Sequence, residues 1–130
     1  MFTQIRTSRE NKEIVSKLSR RLNLGAENVI ARLALTYSLS KDRLMNLEEI
    51  QNSSGKEYSK KVLLGEYEDY YIGLICVHYQ ISSLNKDIPK YIKMHIDDGL
   101  ELINAELEER RNVDGFSFLV DKIENHINEQ

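Results

Sequence analysis

The sequence has one cysteine, Cys76, one proline and no tryptophan among its 130 residues. A single cysteine cannot form an internal disulfide, so nothing argues for an oxidising compartment. It also cannot hold an iron–sulfur cluster, which needs several thiolates. No apolar run approaches the roughly 20 residues that a membrane-spanning helix requires, and the N-terminus lacks the apolar region of a secretory signal. We therefore expect a cytoplasmic protein without a membrane association.

Nucleotide-binding and nucleophilic motifs are also missing. Neither GxGxxG nor GxxxxGK[ST] occurs, so we do not expect nucleotide hydrolysis. No Lys or Arg neighbours Cys76 in the sequence, which leaves an activated thiolate unsupported, and we interpret Cys76 as a small buried apolar residue. His78 lies in the same apolar segment and is predicted to be a packed histidine with one hydrogen bond.

His95, Asp97 and Asp98 form the most metal-like cluster in the sequence. On a helix His95 and Asp98 share a face and Asp97 does not. Two ligands at this spacing are common by chance, and no HExxH or CxxC motif accompanies them. We expect hydrogen bonding across a helix interface here, and we predict no metal, no cofactor and no catalytic residue.

The charge is distributed unevenly along a chain of ordinary globular composition. The sequence is 41% hydrophobic and 30% charged, with a net charge of -3. Residues 1–61 hold 12 Lys and Arg against seven Asp and Glu, whereas residues 62–130 hold six against 14. This division favours one face for a polyanion and another for solvent or a protein partner. The alternative is uneven surface charge without a function.

The first third of the chain predicts a short strand and two helices. Residues 3–7 alternate polar and apolar side chains, as in a strand. Ser8 is a predicted N-cap for a helix over residues 9–22, and Gly25 is predicted to end it. A second helix over residues 26–39 is apolar on nearly every side. It is therefore expected in the core or against another subunit.

The remainder predicts three more helices. A polar loop covers residues 51–56, and residues 60–64 are predicted as a strand or an extended arm. A third helix over residues 66–82 is again apolar on several faces. Pro89 lies in the first turn of a fourth, with Asp87 as its cap, and this helix ends near residue 111. A final amphipathic helix follows residue 114. The fold class is therefore mainly α, a compact domain of about five helices with a short N-terminal strand.

Basic side chains concentrate on and around the first helix. Such residues neutralise phosphates and release counterions, which gives affinity for a nucleic-acid backbone. The free N–H groups after Ser8 are a second expected phosphate contact. Glu10 and Glu13 interleave with the basic residues, so the alternative is a solvated helix face. The predicted DNA-binding residues are Arg6, Arg9, Lys12, Lys17, Arg20, Arg21, Lys60 and Lys61.

Four ordered blocks resemble the DndE family of DNA sulfur-modification proteins. They are IRTSR at residues 5–9, NVIARLAL at residues 28–35, KVLLG at residues 61–65 and HIDDGLELI at residues 95–103. Each block is short, and the order and spacing of all four carry the resemblance. It covers about residues 3–105. We accordingly divide the chain into a DndE-like domain, residues 1–111, and a helical C-terminal extension, residues 112–130.

The resemblance implies a fold related to ribbon-helix-helix DNA binders and assembly as a homotetramer. It implies binding of duplex DNA, with a preference for nicked duplex, through surface lysines. It also implies action beside other Dnd proteins, which supply cysteine desulfurase, iron–sulfur and ATPase activities. The product is a backbone in which sulfur replaces a non-bridging phosphate oxygen. The basic first helix, with Lys60 and Lys61 as weaker candidates, would carry the DNA contacts.

Three alternatives remain open at this point. A ribbon-helix-helix transcription regulator or antitoxin would use Thr3, Gln4 and Arg6 of the strand to recognise bases. A metal-dependent nicking enzyme would use the cluster of His95, Asp97 and Asp98. An assembly scaffold would contact only its Dnd partners and would not need the basic helix.

Overall fold

The computed structural model describes residues 2–110 and 120–125. Short 3-10 turns cover Leu47–Glu49 and Gly65–Tyr67, and residues 120–125 are helical. The mainly α prediction with a short N-terminal strand is confirmed. The elements in chain order are strand β1 (Gln4–Arg6), helices α1 (Arg9–Leu22) and α2 (Glu27–Ser40), strand β2 (Glu57–Ser59), and helices α3 (Lys60–Leu64), α4 (Glu68–Tyr79) and α5 (Ile88–Glu109).

Strand β1 pairs antiparallel with β2 of the same chain. Ile5 lies opposite Tyr58, and both side chains are buried, whereas the residues on either side of each are exposed. This alternation is the period of two that the sequence shows in residues 3–7. The ribbon therefore closes one side of the helical core.

Helix α1 begins and ends through local side-chain chemistry. The Ser8 hydroxyl accepts a hydrogen bond from the backbone N–H of Asn11 at 3.3 Å, which confirms the predicted cap. The predicted span, residues 9–22, is confirmed, but the C-cap residue is Asn23 and not Gly25. Asn23 adopts a left-handed conformation with φ 53 and donates its N–H to the Ser19 carbonyl. Asn tolerates this conformation, so the helix ends at the predicted residue without a glycine in the capping position.

Helices α2 and α5 form the centre of the core. Gly99 of α5 lies against the backbone of α2, where an added Cβ would sit 1.9 Å from the Ala34 carbonyl oxygen. This contact requires glycine on one helix and favours small residues on the other. The buried positions of α2 are Ile30, Ala31, Ala34, Leu35 and Ser38.

Residues 60–64 are a helix, which corrects the predicted strand or arm. The Ser59 hydroxyl accepts the N–H of Val62 at 3.2 Å and starts α3 directly after β2. The third predicted helix is shorter than expected, because Gln80 takes a left-handed conformation and ends α4 at Tyr79. Asp87 occupies the cap position of α5, but its side chain makes no cap hydrogen bond.

Burial on α4 also differs from the prediction. Val77 and Tyr70 are exposed in the single chain, at 79% and 62%, and Cys76 is only partly buried. The predicted final helix lies largely outside the described residues. Within residues 120–125, Asp121 accepts a 3.0 Å ion pair from Arg110 at the end of α5. Across the described ranges, no helix has the length and apolar character needed to cross a bilayer.

Candidate nucleic-acid interface

A stripe of hydrogen-bond donors runs along the outer face of α1. Lys12, Ser16 and Arg20 follow one another at intervals of four residues, about 6 Å per step along the helix. Val15 and Leu18 are buried on the inner face of the helix, so the stripe on the opposite face points toward solvent. Lys12 and Arg20 are exposed, and with Ser16 they line a shallow open depression on the surface.

Two further cations of α1 are engaged by α5. Arg21 donates from Nη2 to the carbonyl oxygens of Leu107 and Arg110, both at 3.1 Å. Those carbonyls lie at the C-terminal end of α5, so the guanidinium stabilises the end of that helix. Lys17 forms an ion pair with Glu108. Both residues belong to the predicted basic face, and both already have protein partners.

Three of the other predicted contacts lie outside α1, on the ribbon and on α3. Arg6 forms a 2.5 Å ion pair with Glu57 across the ribbon. Lys60 lies 3.5 Å from Glu68 and over the ring of Phe2, 5.1 Å from its centroid. Lys61 is exposed on α3, and Arg9 is exposed at the start of α1. The structure thus gathers only the α1 residues of the predicted set into one surface.

The predicted phosphate contact at the N-terminus of α1 is wrong. The N–H of Ser8 donates to Asp97 Oδ1 at 3.0 Å, and the N–H of Arg9 donates to Asn52 Oδ1 at 2.9 Å. Asp97 is buried and also accepts from Lys93 Nζ at 2.8 Å. The chain's own carboxylate and amide therefore satisfy the helix end where a phosphate was expected.

A further cation, Lys56, lies beside the stripe and was not among the predicted DNA-binding residues. Lys56 Nζ is 2.9 Å from Glu27 Oε1, and Ser16 donates to Glu27 Oε2 at 2.6 Å. The hydrogen bonds from Ser16 and then Lys56 lower the pKa of the Glu27 carboxyl. The position of Lys56, at the end of a polar loop, carries no periodicity that would place it next to α1.

His95 belongs to a buried hydrogen-bond chain. Ser38 must donate to the Asp98 carboxylate (2.7 Å), so it accepts from His95 Nδ1 (2.8 Å), and Tyr79 then donates to His95 Nε2 (2.6 Å). Burial lowers the pKa of His95 to about 4, and His95 is neutral at physiological pH. The prediction of hydrogen bonding across a helix interface is confirmed.

The three members of the metal-like cluster make separate contacts. Asp97 engages the start of α1, whereas His95 and Asp98 engage Ser38 of α2. In the part of the chain that the structure describes, no group of three His, Cys, Asp or Glu side chains is placed to hold a metal ion. His78 makes one hydrogen bond, from Nε2 to the Arg43 carbonyl at 2.7 Å, as predicted for a packed histidine.

A protein-family model described as DNA sulphur modification protein DndE matches residues 4–111. The chain belongs to the DndE family. The match runs from β1 through the last residue of α5 and covers the whole α1 stripe. Membership places this DndE-family chain in DNA phosphorothioation and confirms the resemblance of the four sequence blocks.

Solved DndE structures share the fold. The crystal structure of DndE from Escherichia coli B7A, involved in DNA phosphorothioation modification, has a TM-score of 0.64 at 21% identity. A glycine-to-lysine mutant of DndE involved in DNA phosphorothioation has a TM-score of 0.65 at 22% identity. Each likeness covers 79% of this chain and 98% of the other. No curated protein matches the sequence significantly.

Proposed function

We propose that the chain is the DNA-binding component of the phosphorothioation machinery and binds duplex DNA through phosphate contacts. The exposed α1 stripe of Lys12, Ser16 and Arg20 carries the proposal, with Arg9 at its N-terminal end. Lysine, arginine and serine side chains are the usual donors to phosphate oxygens. Contacts of this kind position a protein on the backbone without recognising bases.

The length of the stripe suits a polyanion. From Lys12 to Arg20 the helix advances about 12 Å. Duplex DNA carries one negative charge per about 1.7 Å of its axis, so the stripe faces several phosphates at once. Glu10 and Glu13 share this surface, and their charges oppose binding. We therefore expect an affinity that falls steeply as salt screens the attraction.

The finer features of the proposal concern the form of the DNA and the partners. We propose a preference for nicked over intact duplex and action beside the iron–sulfur and ATPase components of the Dnd machinery. We also propose a homotetramer, since the apolar side chains of Val62, Tyr67 and Tyr70 are more than half exposed in the single chain. Apolar surface of this kind is typical of protein interfaces.

Replacing Lys12 and Arg20 with alanine together tests the proposal. Fewer phosphates are neutralised, so duplex affinity falls and the slope of log K against log salt becomes shallower by about 1.8. Fluorescence anisotropy with intact and nicked duplexes across a salt series measures both quantities. The paired variant Lys86→Ala, Lys90→Ala removes the same charge just before and within the first turn of α5, outside the α1 stripe, and should change neither quantity markedly.

Unchanged binding by the Lys12, Arg20 variant would favour an assembly scaffold and overturn the proposal. Two other outcomes point to the remaining alternatives. Enrichment of a single operator from random duplexes would indicate a transcription regulator that uses Thr3, Gln4 and Arg6. Nicking of supercoiled plasmid that requires Mg²⁺ or Mn²⁺ and disappears in His95→Ala would indicate an enzyme.

A further inference from the structure

The carboxylate of Glu27 lies among donors that also suit a phosphate. Ser16 donates to one oxygen at 2.6 Å, and the Lys56 ammonium is 2.9 Å from the other. Arg20, one turn beyond Ser16 on α1, is close enough to act electrostatically on the same carboxyl. Two donors, one from α1 and one from the loop before β2, thus contact a single anionic group, and a second cation lies near it.

The groups around the Glu27 carboxylate would also suit the oxygens of another oxyanion. A hydroxyl and an ammonium donate equally well to carboxylate and phosphate oxygens. Glu27 is the first residue of α2, whose cap residue Ala26 makes no side-chain cap hydrogen bond. The positive end of the α2 dipole adds to the attraction for a negative group.

The site is also reachable from solvent and continuous with the α1 stripe. The Lys56 side chain is 40% exposed and that of Glu27 is 25% exposed. Ser16 is both the middle residue of the stripe and the donor to Glu27. A duplex lying along α1 would therefore bring a phosphate next to the Glu27 carboxylate.

We propose that Ser16, Arg20 and Lys56 form a phosphate-binding cluster that the Glu27 carboxylate occupies in the free protein, and that a DNA phosphate displaces this carboxylate. The inference rests on the proposed DNA-binding function. Glu27 is then an internal competitor. Its carboxylate prevents isolated small anions from binding to the cluster. A DNA backbone displaces it because many phosphates bind to the protein together.

The substitution Glu27→Gln tests the competition. The amide oxygen still accepts from Ser16, so the local structure is retained, but the negative charge that holds Lys56 is removed. We expect duplex affinity to rise about two- to fivefold, the range for removing one exposed ionic competitor. The salt slope should become steeper by up to about 0.9, because Lys56 neutralises a phosphate without opposition.

The decisive measurement is the same substitution in a Lys56→Ala background. The gain from Glu27→Gln should largely vanish there, because the released cation is missing. Glu66→Gln removes an exposed negative charge outside this cluster. It measures how much duplex affinity rises simply because the protein has lost one negative charge. An equal gain with and without Lys56, or a gain no larger than that of Glu66→Gln, overturns the inference.

This cycle is separable from the test of the proposed function. If the Lys12, Arg20 variant binds duplex as tightly as the natural chain, the proposed interface itself is wrong. If that variant loses affinity while the effects of the Glu27 and Lys56 substitutions are simply additive, the proposed α1 interface is supported. The proposed displacement of the Glu27 carboxylate by a phosphate is then wrong. Thermal unfolding of each variant confirms that the fold is retained.

Discussion

His95 illustrates how burial determines the role of a single residue. Its imidazole is fully buried, and each ring nitrogen has a polar partner. Burial lowers its pKa from the usual 6.5 to about 4. The unfolded chain therefore binds a proton in a pH range where the folded chain does not. Protonation would also leave Nε2 with a proton facing the Tyr79 hydroxyl.

The pH dependence of stability follows from this difference. Between pH 6.5 and 4 the unfolded state binds one more proton, so stability falls as the pH is lowered through that window, by about 3 kcal/mol from this residue. Urea unfolding at a series of pH values measures it. His95→Gln should flatten the loss, and His78→Gln, which removes a smaller contribution to the lowered pKa of His95, should flatten it only in part. If the free energy of unfolding of His95→Gln fell with decreasing pH as steeply as that of the natural chain, the assignment of this pH dependence to His95 would be wrong.

At the scale of the elements, the crossing of α2 and α5 depends on one glycine. An added Cβ at Gly99 would meet the Ala34 carbonyl oxygen at 1.9 Å, a distance that real contacts do not show. The two central helices would have to move apart to accommodate it. The sequence pattern predicts both helices, but it contains no signal that distinguishes this glycine from Gly73 of α4.

The two glycines provide a matched pair of substitutions. Gly99→Ala should destabilise the fold by about 1–3 kcal/mol, as expected for overpacking a core contact. Gly73 has nothing within 4 Å of an added Cβ, so Gly73→Ala should be neutral or stabilise by up to about 1 kcal/mol through helix propensity. Urea denaturation measures both. Equal effects of the two substitutions would show that the α2–α5 contact is not close-packed.

At the scale of the whole molecule, the single chain leaves an aromatic and apolar surface open. Tyr67 at the N-cap of α4 and Tyr70 in its first turn line a shallow depression, together with Val29, Leu33 and the side chain of Arg32 from α2. Tyr70 is 62% exposed. Burial of such a surface in a tetramer would remove it from water and would repeat the proposed DNA-binding stripe on each subunit.

Light scattering after size-exclusion chromatography tests the proposed assembly. A homotetramer has four times the 15.2 kDa mass of the chain. Tyr70→Asp places a charge in the apolar surface and should lower the measured mass, whereas Tyr91→Phe, at a site distant from this surface, should not. A monomeric mass for the natural chain at all concentrations would reject the tetramer, and an unchanged mass in Tyr70→Asp would place the interface elsewhere.

The sequence by itself determined the properties that depend on neighbouring residues. The strand at residues 3–7, the Ser8 cap and the span of α1 follow from alternation, capping chemistry and helical periodicity, all of which act within a few residues. The order and spacing of the four family blocks along the sequence indicated the DndE family. Errors occurred where a short segment satisfied two patterns, as at residues 60–64.

Tertiary structure alone decided which basic residues remain exposed to solvent. Arg21 donates to carbonyl oxygens that lie 86 and 89 residues away in the sequence. The N–H of Ser8 donates to a carboxylate 89 residues away. Lys56 is linked to Ser16 of α1 through the Glu27 carboxylate. Hydrogen bonds and ion pairs act over a few ångströms in space, and a helix pattern carries no information about which distant acceptor the fold brings within that range.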